Sequence, residues 1–348
     1  MGNKKIAVIG AGNCGYALAA DLTLSGYEIN LYGSKKRGNL TPVVENGGIE
    51  LTGAGRNGFA EINCATTNIA EAIAGTKIII ITYQTQQQEA LAEICAPHLE
   101  DGQTIILTPG NLSSVLFTKI IKEHGINKDI KIAETRSAIY GCRRINGKPE
   151  VNIINLIPNN IAAFPSRNTE IVLNEMRELY PDILPGKNVL EIALSFTNFT
   201  HVPPMILNTG TVEIPRRPFY IYGEANTPSI KRVTLALQKE NASIIKKLGL
   251  SNLSLLEEQM KMRQLPSGLD KVPGPKNMQH RYILEDCQIG LVFRASLGDM
   301  IGIPTPVSKA LITLASEING TDYFTQGRTM EHLGISGLST KELNEFFA

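Results

Sequence analysis

Ile6-Ala-Val-Ile-Gly-Ala-Gly-Asn-Cys-Gly15 is the stretch whose reading decides the fold. A short apolar run ends in Gly10, Gly12 and Gly15, and Tyr16-Ala-Leu-Ala-Ala-Asp-Leu-Thr-Leu24 follows at once as an amphipathic run. The pattern predicts strand, tight turn and helix, the context in which G-x-G-x-x-G counts as a dinucleotide site. Gly10 permits the turn, Gly12 leaves bare backbone for a pyrophosphate, and Gly15 lets helix and strand pack closely. Asn13 and Cys14 complete the turn at a helix N-terminus, whose unpaired N–H groups suit phosphates. The plainer reading is a βα turn that is glycine-rich for packing alone.

Downstream, Ser25-Gly26 ends the helix and Tyr27 to Tyr32 alternates as a second strand. NAD-binding proteins place an acidic residue about 20 positions beyond the glycines to take the ribose 2′-hydroxyl. Here the strand runs instead into Gly33-Ser34-Lys35-Lys36-Arg37. A carboxylate would repel a 2′-phosphate, whereas the Ser34 hydroxyl and the cations of Lys35, Lys36 and Arg37 would hold one. NADP(H) is therefore favoured over NAD(H), against the alternative of a solvated basic loop.

Residues 41–62 are glycine-rich, with pieces near Ile49 and Phe59 that suit a small hairpin. Strands are then expected at 77–82, 104–108 and 130–134, alternating with helices at 68–74, 85–98 and 112–124. Such alternation predicts a parallel sheet covered on both faces, with ligands beyond the carboxyl ends of its strands. Two of those ends are chemically loaded, Thr82-Tyr83-Gln84 and Thr108-Pro109-Gly110-Asn111, although turn chemistry alone also explains them. Asn146-Gly147 signals a further hairpin, and a strand at 161–164 with a helix at 169–179 closes the first domain. Pro181, Pro185 and Gly186 mark the boundary, placing a dinucleotide-binding domain of the Rossmann α/β type at 1–187. Residues 188–348 read as an all-α domain, with helices at 230–248, 253–262, 282–300, 307–317 and 340–347, the last opened by a Ser339/Glu342 capping box.

Composition narrows the partners. With a net charge of +1, the chain offers no bulk electrostatic attraction to nucleic acid or membrane. Five scattered cysteines without a C-x-x-C pair suit reduced thiols in a cytoplasm, not disulfides or a metal site. Lys4-Lys5 before an apolar stretch imitates a signal peptide, but the glycines that interrupt it fit the dinucleotide turn better. No apolar run approaches the roughly 20 residues of a membrane span. Small-molecule substrates are expected, and the sequence is compatible with a homodimer without fixing the oligomeric state.

Hydride transfer needs a group that handles the accompanying proton, and histidine suits this near neutral pH. Of five histidines, His98 and His124 end peripheral helices, His332 lies in the tail and His280 opens a second dense stretch. His201, in Thr197-Asn-Phe-Thr-His201-Val-Pro-Pro-Met-Ile-Leu-Asn208, lies just past the boundary, stiffened by Pro203 and Pro204, and reads equally as a cleft residue or a structural histidine. The other dense stretch is His280-Arg281-Tyr282-Ile-Leu-Glu285-Asp286. Arg281 suits a substrate carboxylate and Asp286 a histidine-orienting acid, against an ordinary Arg281/Glu285 helix pair. On one straight helix Arg281 and Asp286 would stand about 140° apart, so both can serve one site only if the helix begins after Arg281. Arg143, Arg144, Arg216 and Arg217 could receive a further carboxylate or be solvated surface.

Together, the glycine turn, Glu134-Thr135 leading to Tyr140-Gly141-Cys142-Arg143, the His-x-x-Pro-Met-x-x-Asn stretch ending at Asn208, Arg281-Tyr282-x-x-Glu285-Asp286 and Gly302-Ile-Pro-Thr-Pro306 resemble the opine dehydrogenases of the octopine and nopaline type, over nearly the whole chain. The resemblance implies reductive condensation of an amino acid with a 2-oxo acid, a nicotinamide cofactor giving the hydride. It carries the catalytic histidine onto His201, its paired aspartate onto Asp286, the substrate-binding arginine onto Arg281, a thiol near the substrate onto Cys142, and a substrate-side amide onto Asn208. Gly141 stands where the family pattern has alanine. It also implies that closure of a cleft between the domains completes the site. Two alternatives stand beside it: a reductase of the ketopantoate or glycerol-3-phosphate dehydrogenase kind, and a non-catalytic NADP(H) sensor.

Overall fold

A computed structural model describes residues 5–215, 218–251 and 273–348. The helix expected at 253–262, and Arg216 and Arg217, lie outside the described residues. Contacts divide the chain into two compact units, Met1–Ala193 with Ala348, and Leu194–Phe347.

The first unit is built on an eight-stranded sheet of β1 (Lys5–Ile9), β2 (Glu28–Tyr32), β5 (Cys64–Thr66), β6 (Ile78–Ile81), β7 (Thr104–Leu107), β8 (Lys131–Thr135), β11 (Asn160–Phe164) and β12 (Leu184–Pro185), in the order β12-β11-β8-β7-β6-β1-β2-β5. Period-2 alternation fixes its two faces. Ile6, Val8, Ile78, Ile80 and Ile106 enter one core, while Ala7, Ile9, Ile79, Ile81, Ile105 and Leu107 enter the other. From β1 the chain steps outward to β2, then returns to pair β6 on the other side of β1. The strand order therefore reverses between β1 and β6, where open α/β sheets bind ligands.

All neighbours in this sheet are parallel except β11 with β8, which is antiparallel. This departs from the wholly parallel sheet expected from the alternation. The chain reaches β11 from β8 through a hairpin of β9 (Tyr140–Arg144) and β10 (Glu150–Leu156) rather than through the crossover that parallel pairing needs. A second sheet was also not anticipated. The expected hairpin, β3 (Gly48–Gly53) with β4 (Gly58–Glu61), joins the β9–β10 hairpin through parallel β3–β10 pairing, giving the order β4-β3-β10-β9.

Between the two sheets lies α1 (Asn13–Leu24), buried continuously from Gly15 to Leu22. A helix covered on both sides must be apolar on most of its circumference, which explains the Ala- and Leu-rich sequence after the glycine turn. Its one buried carboxylate, Asp21, is paired with Arg56 at 3.0 Å and accepts from the Tyr140 hydroxyl at 2.6 Å.

The second unit is helical. Its long helix, Pro228–Leu248, starts on Thr227, whose hydroxyl accepts from the Ile230 amide, and stops at left-handed Gly249. The capping box at Ser339 and Glu342 opens the helix Thr340–Phe346. The continuous helix expected at 282–300 is instead three pieces: a short turn Arg281–Leu284, a π-helical segment Asp286–Leu291, and the helix Val292–Ile301. Glu285 (φ −106, ψ −54) marks the break.

Candidate active site

At the glycine turn the three glycines have different duties. Gly10 has φ +126, and a Cβ there would lie 2.3 Å from Thr82 Oγ1; at Gly15 a Cβ would lie 1.6 Å from the Gly10 carbonyl oxygen. Both serve the close approach of α1, β1 and β6. Gly12 is different, since a Cβ there meets nothing within 4 Å. It is the N-cap of α1, and no side chain among the described residues caps it. Helix N–H groups facing open space beside bare backbone are what a dinucleotide pyrophosphate requires, so the residues present fit the cofactor. Thr82 stitches the strand ends together, its hydroxyl donating toward the carbonyls of Ile9 and Gly10 at 3.2 Å each.

Around this turn, Asn13 is exposed and its side-chain oxygen accepts from the Arg144 amide at 3.0 Å. Ser34 is half-buried at the start of a 3-10 turn, and Lys35 is exposed; the Arg37 side chain lies outside the described residues. Arg144, weighed from sequence as a carboxylate receiver, comes from β9 to lie over the Tyr16 ring at 5.0 Å and donates to Asn39 Oδ1 at 2.9 Å. Tyr83 packs against Tyr32, ring centroids 6.4 Å apart. After β7, Pro109 and Gly110 lead into the helix Ser113–Glu123. A Cβ on Gly110 would lie 2.2 Å from the Glu134 carboxyl carbon. Glu134 is buried, and its carboxylate accepts from the Leu112 and Ser114 amides and the Ser114 hydroxyl at 2.6–2.9 Å. It caps this helix, a role that its place in the family pattern did not reveal.

Cys14 and Cys142 are packing residues in this structure. Cys142 alternates inward with Tyr140 on β9 and belongs to the core between the sheets, with Cys14 against the same cluster. Burial raises both thiols, Cys14 to about 11 and Cys142 further, so neither is poised as a thiolate. The Cys142 thiol, expected near substrate, lies in this core.

In the second unit, a 3-10 turn at Asn198–His201 feeds the buried Pro-containing helix Val202–Ile206 and fixes His201 at their junction. Its Nδ1 lies 2.7 Å from Asp286 Oδ2, the His201 side chain being 12% exposed and Asp286 fully buried. A carboxylate can only accept, so Nδ1 carries a proton and Nε2 of the neutral ring offers its lone pair. That nitrogen lies 2.9 Å from the Tyr222 hydroxyl. Tyr282 stacks on the imidazole, centroids 4.0 Å apart at 25°, and its hydroxyl is 3.1 Å from that of Tyr222.

The condition set by the straight-helix argument, a helix that begins after Arg281, is not met, but the helix is not straight either. The short helix begins at Arg281 itself, capped by His280 Nδ1, and gives way to the π-helical segment at Asp286. Arg281 pairs with Glu285 at 3.3 Å and lies 5.0 Å over the Tyr282 ring while remaining 35% exposed. Burial opposes its charge, but Asp286 and then Glu285 outweigh it and hold the guanidinium above its ordinary pKa. Beneath them Arg294 is buried, donating to Asn241 Oδ1 and to the carbonyls of Gly290 and Phe196 at 2.7–2.9 Å. Burial lowers its pKa to about 9, with Asp286 opposing.

Asn208 was expected near substrate. Its amide nitrogen instead donates to the carbonyls of Pro204 at 2.8 Å and Ala225 at 3.3 Å, tying the helix Val202–Ile206 to the turn that carries Tyr222. Tyr222 is the residue that sequence reasoning missed. It stands 21 positions beyond His201 in Phe219-Tyr-Ile-Tyr222-Gly, and no spacing rule joins the two. Of the remaining histidines, His124 pairs with Glu93 at 2.7 Å on the surface.

Comparison with known proteins matches different families to the two ends of the chain. A family model described as "NAD/NADP octopine/nopaline dehydrogenase, alpha-helical domain" matches residues 185–319. One described as "NADP oxidoreductase coenzyme F420-dependent" matches residues 5–111. The curated opine dehydrogenase of Arthrobacter sp. (strain 1C) is 30% identical over 352 residues, covering 97% of each chain. An octopine dehydrogenase structure with NADH and L-arginine superposes with a TM-score of 0.74 at 17% identity, covering 97% of each chain. NADP+-bound yersinopine dehydrogenase superposes at 0.71 and 15% identity, over 99% of this chain and 97% of the other. No helix among the described residues is long and apolar enough to cross a membrane.

Proposed function

The chain belongs to the opine dehydrogenase family, NAD(P)-dependent oxidoreductases acting on CH–NH groups, and on that footing we propose that it condenses an amino acid with a 2-oxo acid, preferring NADP(H), with His201 as general acid and base. The observation that carries the proposal is the His201–Asp286 pair, a half-buried imidazole held in one tautomer at 2.7 Å by a fully buried carboxylate. A binding protein or sensor has no use for such a pair.

The dinucleotide, when bound, supplies the hydride; Gly12, Asn13 and Cys14 would hold its pyrophosphate at the N-terminus of α1. Ser34 and Lys35, with Arg37, would receive a 2′-phosphate, and Arg144 adds a cation beside Asn13 and Asn39. Arg281, partly exposed and kept charged by Asp286 and Glu285, would clamp a carboxylate of the oxo acid. Neutral His201 takes up the proton that the attacking ammonium group gives off, and the imidazolium so formed returns it to the departing oxygen. Asp286 keeps Nδ1 protonated throughout and balances the imidazolium charge.

A matrix of amino acids against 2-oxo acids, assayed for oxidation of NADPH and of NADH, tests the proposal. Oxidation that requires both substrates and is faster with NADPH supports it. Oxidation with the oxo acid alone points to a simple reductase, and no oxidation across a broad panel to a sensor.

A further inference from the structure

Both in-plane positions of the His201 ring are taken. Asp286 holds Nδ1 at 2.7 Å, the Tyr222 hydroxyl lies 2.9 Å from Nε2, and Tyr282 covers one face. A substrate can reach Nε2 directly only by displacing Tyr222, and Tyr222 is held in place. Its turn is fixed by Asn208 on the Ala225 carbonyl and by Asn226 on the Ile221 carbonyl at 2.9 Å, and its hydroxyl meets that of Tyr282 at 3.1 Å. Meanwhile Tyr222 is only half-buried, and its partner Tyr282 lies beneath the guanidinium of Arg281, the group that would bind the substrate carboxylate, at 5.0 Å.

We propose that Tyr222 is a catalytic residue that carries the proton between His201 Nε2 and the substrate, so that Tyr222, His201 and Asp286 act as one relay. The inference rests on the reading of His201 as the acid and base. Hydrogen-bond directions follow from the carboxylate. With His201 neutral, Nδ1–H donates to Asp286, the Tyr222 O–H donates to Nε2, and the Tyr282 O–H donates to Tyr222. Once Nε2 is protonated it donates to the Tyr222 oxygen instead, and the Tyr222 O–H is released toward the substrate.

In the condensation direction, the carbinolamine formed from amine and oxo acid must lose water. The proton on Nε2 passes to the Tyr222 oxygen as the Tyr222 proton passes to the carbinolamine hydroxyl. The C–O bond breaks, the nitrogen lone pair forms the C=N bond, and water departs. Tyr222 ends neutral and His201 ends neutral, so no tyrosinate stands at any point. That matches the surroundings, because burial, then Tyr282, with Asp286 adding, push the Tyr222 hydroxyl well above its ordinary pKa against the opposing charge of Arg281. Among the described residues, His201 and Tyr282 meet the Tyr222 hydroxyl directly, while Asp286 and Arg281 act on it through their charge.

The test combines Tyr222→Phe with a proton inventory of the wild-type enzyme in mixtures of light and heavy water, both read as single-turnover rates. Tyr222→Phe should lose about 100-fold or more in rate, with the KM of the oxo acid and the Kd of NADPH little changed. The wild-type inventory should bow downward, as two protons in flight require. A variant rate within about threefold of wild type, a raised KM with the rate retained, or a straight wild-type inventory would each overturn the relay. An active His201→Asn variant would remove the reading beneath it, whereas an inactive His201→Asn beside a wild-type-like Tyr222→Phe would remove the relay alone.

Discussion

Replacing Asp286 with asparagine separates the orientation of His201 from its presence. In the wild type a carboxylate oxygen accepts from Nδ1 at 2.7 Å inside a fully buried site. An asparagine amide in the same place would donate to Nδ1 and move the ring proton to Nε2, so the neutral histidine would present a donor where the reaction needs an acceptor. General acid–base groups supply about 10²–10⁴-fold, equivalent to about 3–5 kcal/mol of barrier, and that is the loss expected in the single-turnover rate. Thermal stability should fall as well, because Asp286 also compensates the charges of Arg281 and buried Arg294, so the rate is read on enzyme shown to be folded. Stopped-flow NADPH oxidation with both substrates gives the rate, fluorescence titration the Kd of NADPH, and thermal unfolding the stability. An Asp286→Asn enzyme within threefold of wild-type rate, folded and binding NADPH normally, would refute the tautomer argument.

The glycine turn yields a paired prediction: Gly12→Ala should leave Tm unchanged and raise the Kd of NADPH at least about tenfold, because its Cβ enters the space assigned to the pyrophosphate. Gly15→Ala should lower Tm as well, since its Cβ would lie 1.6 Å from the Gly10 carbonyl oxygen and force α1 off β1; equal effects on Tm would contradict the division. Lys35→Glu should weaken NADPH binding by about tenfold, roughly 1.4 kcal/mol, while NADH binding stays within about twofold; titration with both cofactors decides it.

Much of the fold was legible because its determinants are local. Alternating apolar residues in β1, β6 and β7 supply the two faces of the sheet, and Gly10, Gly12 and Gly15 mark the turn at the strand reversal. The second sheet was not legible, because the β3–β10 pairing joins segments about 100 residues apart and neither strand signals its partner. Nor was the π-helical segment, since apolar periodicity runs through Ile283, Cys287 and Leu291 while the backbone changes its hydrogen-bond step at Glu285. His201 and Asp286 could be singled out by residue type and meet across 85 positions. Tyr222 could not, because one tyrosine among ten carries no signal until the turn held by Asn208 brings its hydroxyl to Nε2.

The most direct test of the account is single-turnover NADPH oxidation by the wild type and by His201→Asn, with amino acid alone, 2-oxo acid alone, and both together. The account predicts oxidation by the wild type only when both are present, and its loss in His201→Asn while the Kd of NADPH is unchanged. Equal oxidation with the 2-oxo acid alone, or a His201→Asn enzyme near the wild-type rate, would contradict it.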